Sequence, residues 1–156
     1  MKLIILRHGE AGRATTDFDR NLTHNGRSEV AAISQASLAS LKGANAFVSP
    51  YVRAQQTLHE VSQHVVLNRQ TTLPIITPDD SPEAVLEWLT SQPESDFPIL
   101  LVSHQPMVSR LISLLVDGGF LGYYPMSTAS MTVLEADVWA KGLANVVSQT
   151  HVADLQ

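Results

Sequence analysis

The 156-residue sequence contains no cysteine. Disulfides, thiol catalysis and cysteine-based zinc sites are thereby excluded. Long apolar runs are missing too, for no stretch approaches the ~18 residues of a membrane span. The N-terminal apolar run breaks at Arg7, too short for a signal-peptide core and without a small-residue cleavage pattern. The expectation is a cytoplasmic chain with no membrane association. Positive charge is scarce: 10 Lys and Arg stand against 15 Asp and Glu, a formal net charge of -5. Such an acidic balance argues against nonspecific nucleic-acid binding. An anionic ligand would need a local basic pocket to overcome that field. No Walker-type phosphate loop, internal repeat or low-complexity tract is present. What is there is 44% hydrophobic and 16% charged, the balance of a globular chain. Its length fits a single domain over residues 1–156.

The chain is organised around Leu3–Gly9, Leu-Ile-Ile-Leu-Arg-His-Gly. Four large aliphatic residues in a row suit a strand buried on both faces, as in a parallel sheet. Ligands of open α/β sheets bind at the carboxyl ends of the strands, so Arg7 and His8 are delivered to that crevice. Gly9 permits a sharp turn or a close approach. The polar stretch 10–22 reads as a loop over the strand end, with Arg20 a candidate third cation and with Arg13 and Asp17 solvated. Thr23 is the expected N-cap of a helix running to Gly43. His24 falls in that helix's first turn and reads as a surface residue.

Ala44–Ser49 reads as a second buried strand. Ser49-Pro50 then supplies an N-cap and a first helical residue for a helix over Tyr51–His64. Arg53 falls near the fourth helical position, where a positive charge is unfavourable for the helix and hints at function. His59 and His64, five apart, make poor metal partners and read as exposed. Short extended pieces are expected at Val65–Asn68 and Leu73–Thr77, and a helix over Glu83–Ser91 that packs Trp88 and Leu89 inward. Ile99–Ser103 is the clearest strand after the first. It ends at His104, and Pro106 opens a helix over Met107–Val116. Ser130–Glu135 and Asn145–His151 alternate as antiparallel edge strands. Two apolar strands each ending in a histidine, with an arginine at a third strand–helix junction, form a pattern that chance seldom gives.

Leu6-Arg7-His8-Gly9 resembles the signature of the histidine phosphatase superfamily, which includes the phosphoglycerate mutases. Ser49-Pro50-Tyr51-Val52-Arg53-Ala54-Gln55-Gln56-Thr57 resembles its second motif, and Val102-Ser103-His104 its third. The short length, Arg20–Gly26 and Ser103–Pro106 are most similar to SixA-type protein phosphohistidine phosphatases. The resemblance implies an α/β fold: a three-layer α/β/α sandwich with a mostly parallel central sheet. It implies that His8 is a nucleophile that becomes transiently phosphorylated. Arg7, Arg53 and a protonated His104 would hold the phosphoryl oxygens, with Arg20 a further candidate. Neither metal nor cofactor is implied. His8 must be neutral to attack, its other ring nitrogen held by an acceptor such as a backbone carbonyl.

The sequence departs from larger relatives where they carry an acid. Gln105 follows the third-motif histidine in place of an aspartate. The only carboxylates in Pro74–Ser81, where mutase-like members have a glutamate, are Asp79 and Asp80. Glu10 and Asp19 are weaker candidates. A site without a dedicated acid suits phosphohistidine, whose imidazole leaves easily, better than an alkyl ester. The leading expectation is therefore a phosphatase acting on phosphohistidine in a protein. By family analogy the partner would be a histidine-containing phosphotransfer domain or a phosphotransferase-system carrier. Two alternatives stay open: a phosphatase of small phosphomonoesters, and a non-catalytic module that binds phosphoproteins.

Overall fold

The computed structural model describes all residues, Met1–Gln156. Six strands form one sheet in the order β3-β2-β4-β1-β5-β6. They are β1 (Lys2–Arg7), β2 (Asn45–Val48), β3 (Arg69–Thr72), β4 (Ile99–Ser103), β5 (Met131–Glu135) and β6 (Asn145–Thr150). The first four run parallel; β5 pairs antiparallel with β1, and β6 with β5. Five helices cover the sheet: α1 (His24–Ala36), α2 (Leu38–Leu41), α3 (Val52–Ser62), α4 (Pro82–Ser91) and α5 (Met107–Asp117).

Alternation along β1 explains the three layers. Leu3 and Ile5 point into a core shared with α4 and α5, and Ile4 and Leu6 into one shared with α1 and α3. All four are essentially inaccessible to solvent. Each such side chain contributes roughly 1.5–3 kcal/mol of burial. The run that reads as buried on both faces is indeed central, flanked by β4 and β5. Pairing of Arg7 with Ser103, Val48 with Val102 and Leu6 with Met131 brings four chain segments to one edge of the sheet.

Several expected boundaries shift. Thr23 caps α1 as expected, accepting from the Gly26 N–H at 2.9 Å. The helix then breaks at Ser37 rather than running on to Gly43. The third strand lies between the two extended pieces read from the sequence. Arg69–Thr72 is exposed throughout, and pairing with β2 rather than apolar patterning makes it a strand. Helix α3 begins at Val52, with Tyr51 as N-cap and Pro50 outside it. His64 is half-buried and pairs with Glu60 at 3.3 Å, while His59 and His24 are exposed. Leu89 is buried, Trp88 half-buried against Phe47, and β5 and β6 form the expected antiparallel edge. No helix is long and apolar enough to cross a membrane.

Candidate active site

His8 is the first residue beyond β1, and its backbone is held on both sides. Its N–H donates to the Ser103 carbonyl at 3.0 Å, and its carbonyl accepts from the Ala129 N–H at 2.9 Å. The next peptide turns under α1. There Gly9 lies so close to Gly26 that a Cβ on Gly9 would sit 2.6 Å from the Gly26 carbonyl oxygen. The Gly9 N–H donates to Thr57 Oγ1 at 3.1 Å, and that hydroxyl donates to the Arg53 carbonyl at 2.8 Å. Thr57 thus ties the first motif to α3.

These contacts fix the His8 imidazole. Nδ1 lies 2.7 Å from the Gly9 carbonyl oxygen, which can only accept, so Nδ1 carries the proton. Nε2 receives the Arg53 Nε–H at 3.2 Å, which can only donate, so Nε2 carries the lone pair. Arg53 is the second residue of α3, not the fourth. Helical Cβ atoms tilt toward the N-terminus, which sends its side chain back over the strand ends. Two more bonds reach Asp17: Arg53 NH1 donates to its carbonyl at 2.7 Å, and NH2 to its carboxylate at 3.2 Å. Asp17, read from the sequence as a solvated loop charge, is a partner of the site.

Arg7 comes from the end of β1, and its NH1 donates to the Met126 carbonyl at 2.8 Å. His104 follows β4 and is wholly buried. Its ring lies 5.1 Å from that of His8, and Tyr51 packs on it edge-on at 4.9 Å. The Arg53 guanidinium lies over the Tyr51 ring, 5.0 Å from its centroid. His104 Nε2 meets Ser49 Oγ at 2.6 Å, and that hydroxyl also accepts from the Tyr51 N–H at 3.3 Å. Ser49, expected as a helix cap, is a site residue instead. Arg7 Nε and His104 Nδ1 are buried without a hydrogen-bond partner in the protein. Buried polar atoms are rarely left so unless something else serves them. Arg20 is turned onto its own loop: it donates to the carbonyls of Gly12 and Ala11 and pairs with Asp17 at 3.1 Å.

Burial dominates the electrostatics. It pushes His8 from 6.5 down to about 4; the Gly9 carbonyl opposes this, and Arg53, Arg7 and Arg20 add to it. Burial likewise takes His104 to about 3, with His8 and Arg53 adding and Asp17 opposing. Both imidazoles are therefore neutral near pH 7. The expected protonated His104 does not stand for the protein by itself: an interior already holding two guanidiniums disfavours a third cation. Burial also lowers Arg7, which Glu29 partly restores and Arg53 lowers further. The resulting cluster presents a neutral imidazole lone pair between two guanidiniums and a second imidazole. Such a cluster can bind a tetrahedral oxyanion and offers a nitrogen nucleophile to it.

Of the candidate acids, Asp79 is exposed and the carboxylates of Glu10, Asp19 and Asp80 are engaged in local contacts. The Gln105 side chain is bonded to Ser109 and the Met126 carbonyl. The carboxylate of Glu10 accepts from Thr23 and Asn25, that of Asp19 from Thr16, and that of Asp80 from Thr77.

Comparison with known proteins agrees with this geometry. Residues 3–74 match the model of the histidine phosphatase superfamily, branch 1. A phosphohistidine phosphatase SixA homolog of Haemophilus influenzae is 32% identical over 143 residues, 84% of this chain and 87% of that protein. The chain belongs to the histidine phosphatase superfamily. The phosphohistidine phosphatase SixA of Escherichia coli is 35% identical over 128 residues, 76% of either chain. A solved structure of the protein histidine phosphatase SixA complexed with tungstate is similar over 100% of both chains, with a TM-score of 0.86 and 27% identity. A phosphoserine phosphatase of Entamoeba histolytica shares the fold at a TM-score of 0.73 and 16% identity, over 99% of both chains. With SixA phosphohistidine phosphatases among its relatives at 32% and 35% identity, the chain is a histidine phosphatase, and the three-layer fold is the one the motifs implied.

Proposed function

We propose that this histidine phosphatase hydrolyses phosphohistidine on a protein, through a covalent phosphoryl intermediate on His8. One observation carries the reading: the His8 imidazole is fixed as the neutral tautomer with its Nε2 lone pair facing Arg53. A nucleophilic imidazole needs that state, and here neighbours supply it before any substrate binds. In the first step a bond forms from His8 Nε2 to phosphorus as the phosphorus–nitrogen bond of the substrate breaks. The substrate ring carries its proton on the other nitrogen, supplied by solvent beforehand, so it departs as neutral imidazole and the step needs no acid in the site. In the second, water attacks phosphorus, the His8 bond breaks and inorganic phosphate leaves. Arg7 and Arg53 hold the equatorial oxygens, where phosphoryl transfer gathers charge. His104, with its unpartnered Nδ1, is the third ligand. No step calls on a metal or cofactor.

The leaving group argues for the substrate. The side chains of Glu10, Asp19 and Asp80 are held in loop and cap contacts, Asp79 is exposed to solvent, and Gln105 has no acidic proton. An alkoxide needs a proton to depart; an imidazole, with a pKa of about 6.5 for its cation, leaves without a strong acid. The two SixA relatives carry phosphohistidine in their names, and the similar solved structure of a protein histidine phosphatase SixA holds tungstate, a tetrahedral oxyanion. The partner of this reading is a phosphorylated protein, such as a histidine-containing phosphotransfer domain or a phosphotransferase-system carrier.

The test is kcat/KM across a phosphohistidine protein, a phosphohistidine peptide, an aryl phosphate and sugar phosphates, for wild type and His8→Ala. Turnover of the first three, slow sugar phosphates and an inert His8→Ala support the reading. Efficient turnover of sugar phosphates would favour a small-ester phosphatase, and binding without turnover a non-catalytic module.

A further inference from the structure

A guanidinium has two forks, and Arg53 divides them. Its end-on nitrogens, NH1 and NH2, both bond to one residue: NH1 to the Asp17 carbonyl at 2.7 Å and NH2 to the Asp17 carboxylate at 3.2 Å. Its side-on edge, Nε, donates to His8 Nε2 at 3.2 Å. A phosphoryl group on His8 would place phosphorus one bond and its oxygens two bonds beyond that nitrogen, on the side of the same side-on edge. We infer that Asp17 is a positioning residue for the reaction: by gripping Arg53 end-on, it turns the side-on fork to the phosphoryl group. The inference rests on the reading of Arg53 as a phosphoryl ligand.

Three observations support this role over that of a loop charge. The Asp17 side chain is 54% exposed, whereas that of Arg53 is 5% exposed. Arg53 is thus a buried cation met by a carboxylate from the surface, and the pair is held by a backbone and a side-chain bond together. The other carboxylate oxygen is held in turn: Arg20 NH1 donates to it at 3.1 Å, and Arg20 Nε and NH2 are anchored on the Gly12 and Ala11 carbonyls. The grip is thus itself fixed by the loop that carries it. The 3-10 turn bearing Asp17, Asp17–Asp19, buries no residue; besides the grip on Arg53 it rests the exposed Phe18 ring 5.1 Å from that of Tyr51.

Charge and positioning predict opposite signs, which makes the inference testable. Asp17 places a negative charge beside an anion site. If charge were its only effect, removing it would tighten oxyanion binding. If it positions Arg53, removing it weakens binding although the repulsion is gone. The experiment measures tungstate affinity by calorimetry for wild type, Asp17→Ala, Asp17→Asn and Asp19→Asn. Asp19 is a control: the same loop and charge, but its carboxylate bonds to Thr16 and not to Arg53. Asp17→Ala should lose about tenfold in affinity, the scale of one charge-assisted hydrogen bond, with Asn restoring most of it through its side-chain carbonyl. Asp19→Asn should be neutral or slightly tighter. The ¹⁵N shift of His8 Nε2, which reports the Arg53 bond, should move in Asp17→Ala and stay in Asp19→Asn. Unchanged or tighter tungstate binding by Asp17→Ala, with an unmoved His8 signal, would overturn the inference. Wild type failing to bind tungstate would overturn the phosphoryl site itself, and this inference with it.

Discussion

Lowering the pH from 7 to 5 should destabilise this fold by about 4 kcal/mol through two buried imidazoles, apart from any carboxylate. The pKa of His8 falls on folding from 6.5 to about 4, and that of His104 to about 3. A depressed folded pKa sets the sign. Above pH 6.5 neither chain state binds the proton and stability is intact. Below it the unfolded chain binds the proton and the folded chain does not, so stability is lost as pH falls toward about 4 and 3. At pH 5 the gap from 6.5 is about 1.5 units, and at about 1.4 kcal/mol per unit each imidazole costs about 2 kcal/mol. Against a typical stability of about 5–15 kcal/mol that loss is large. The assay is urea unfolding at pH 7 and pH 5 for wild type, His8→Gln and His104→Gln, in a buffer without phosphate, since an anion bound to the folded state would mask the effect. The carboxylates are common to the three proteins, so the double difference reports the replaced histidine together with its coupling to the other. Each variant should lose about 2 kcal/mol less than wild type between the two pH values. Equal losses in all three would refute the reasoning and mean that the imidazoles titrate as if in water.

Arg7→Ala and Arg53→Ala should each lower kcat by roughly 10²–10³-fold, the scale for removal of one preorganised donor; single-turnover rates with melting curves beside them separate this from unfolding. Gly26→Ala should lower stability by about 1–3 kcal/mol, the usual cost of overpacking, because its Cβ would strike the Glu10 backbone where the loop after β1 crosses α1; a melting temperature equal to wild type would show that this crossing yields easily.

The parts of the molecule legible in the sequence are those where local pattern and tertiary burial coincide. β1 and β4 are buried on both faces and read as apolar runs, and each delivers a histidine to the crevice at its end. β3 is the opposite case. Arg69–Thr72 is polar and exposed, and only the unsatisfied edge of β2 recruits it. Nothing local marks such a segment, so the sequence reading placed extended pieces on either side, where the apolar residues are. Asp17 was illegible for a related reason. It lies 36 residues from Arg53 in sequence, in a loop whose charges all look alike until one meets a buried guanidinium.

Ser49 shows the harder kind of miss, in which a correct local rule is overruled by the site. Serine before proline at a strand end is a strong N-cap signal, and a serine cap is worth about 1 kcal/mol. Yet α3 starts three residues later without any side-chain cap. The Ser49 hydroxyl is committed instead to His104, 55 residues away, at 2.6 Å. Tyr51, extended at φ -64° and ψ 142°, becomes the cap residue and lays its ring on the same imidazole. The helix start is thus less stable than its sequence allows, and what is gained is a fixed His104. Delaying the helix by those residues also places Arg53 in its first turn, at the positive end of α3, where a cation is least favourable for the helix and nearest to His8. Two local costs at one junction serve the same pair of imidazoles. Local disagreement of this kind is where a fold gives up stability for function.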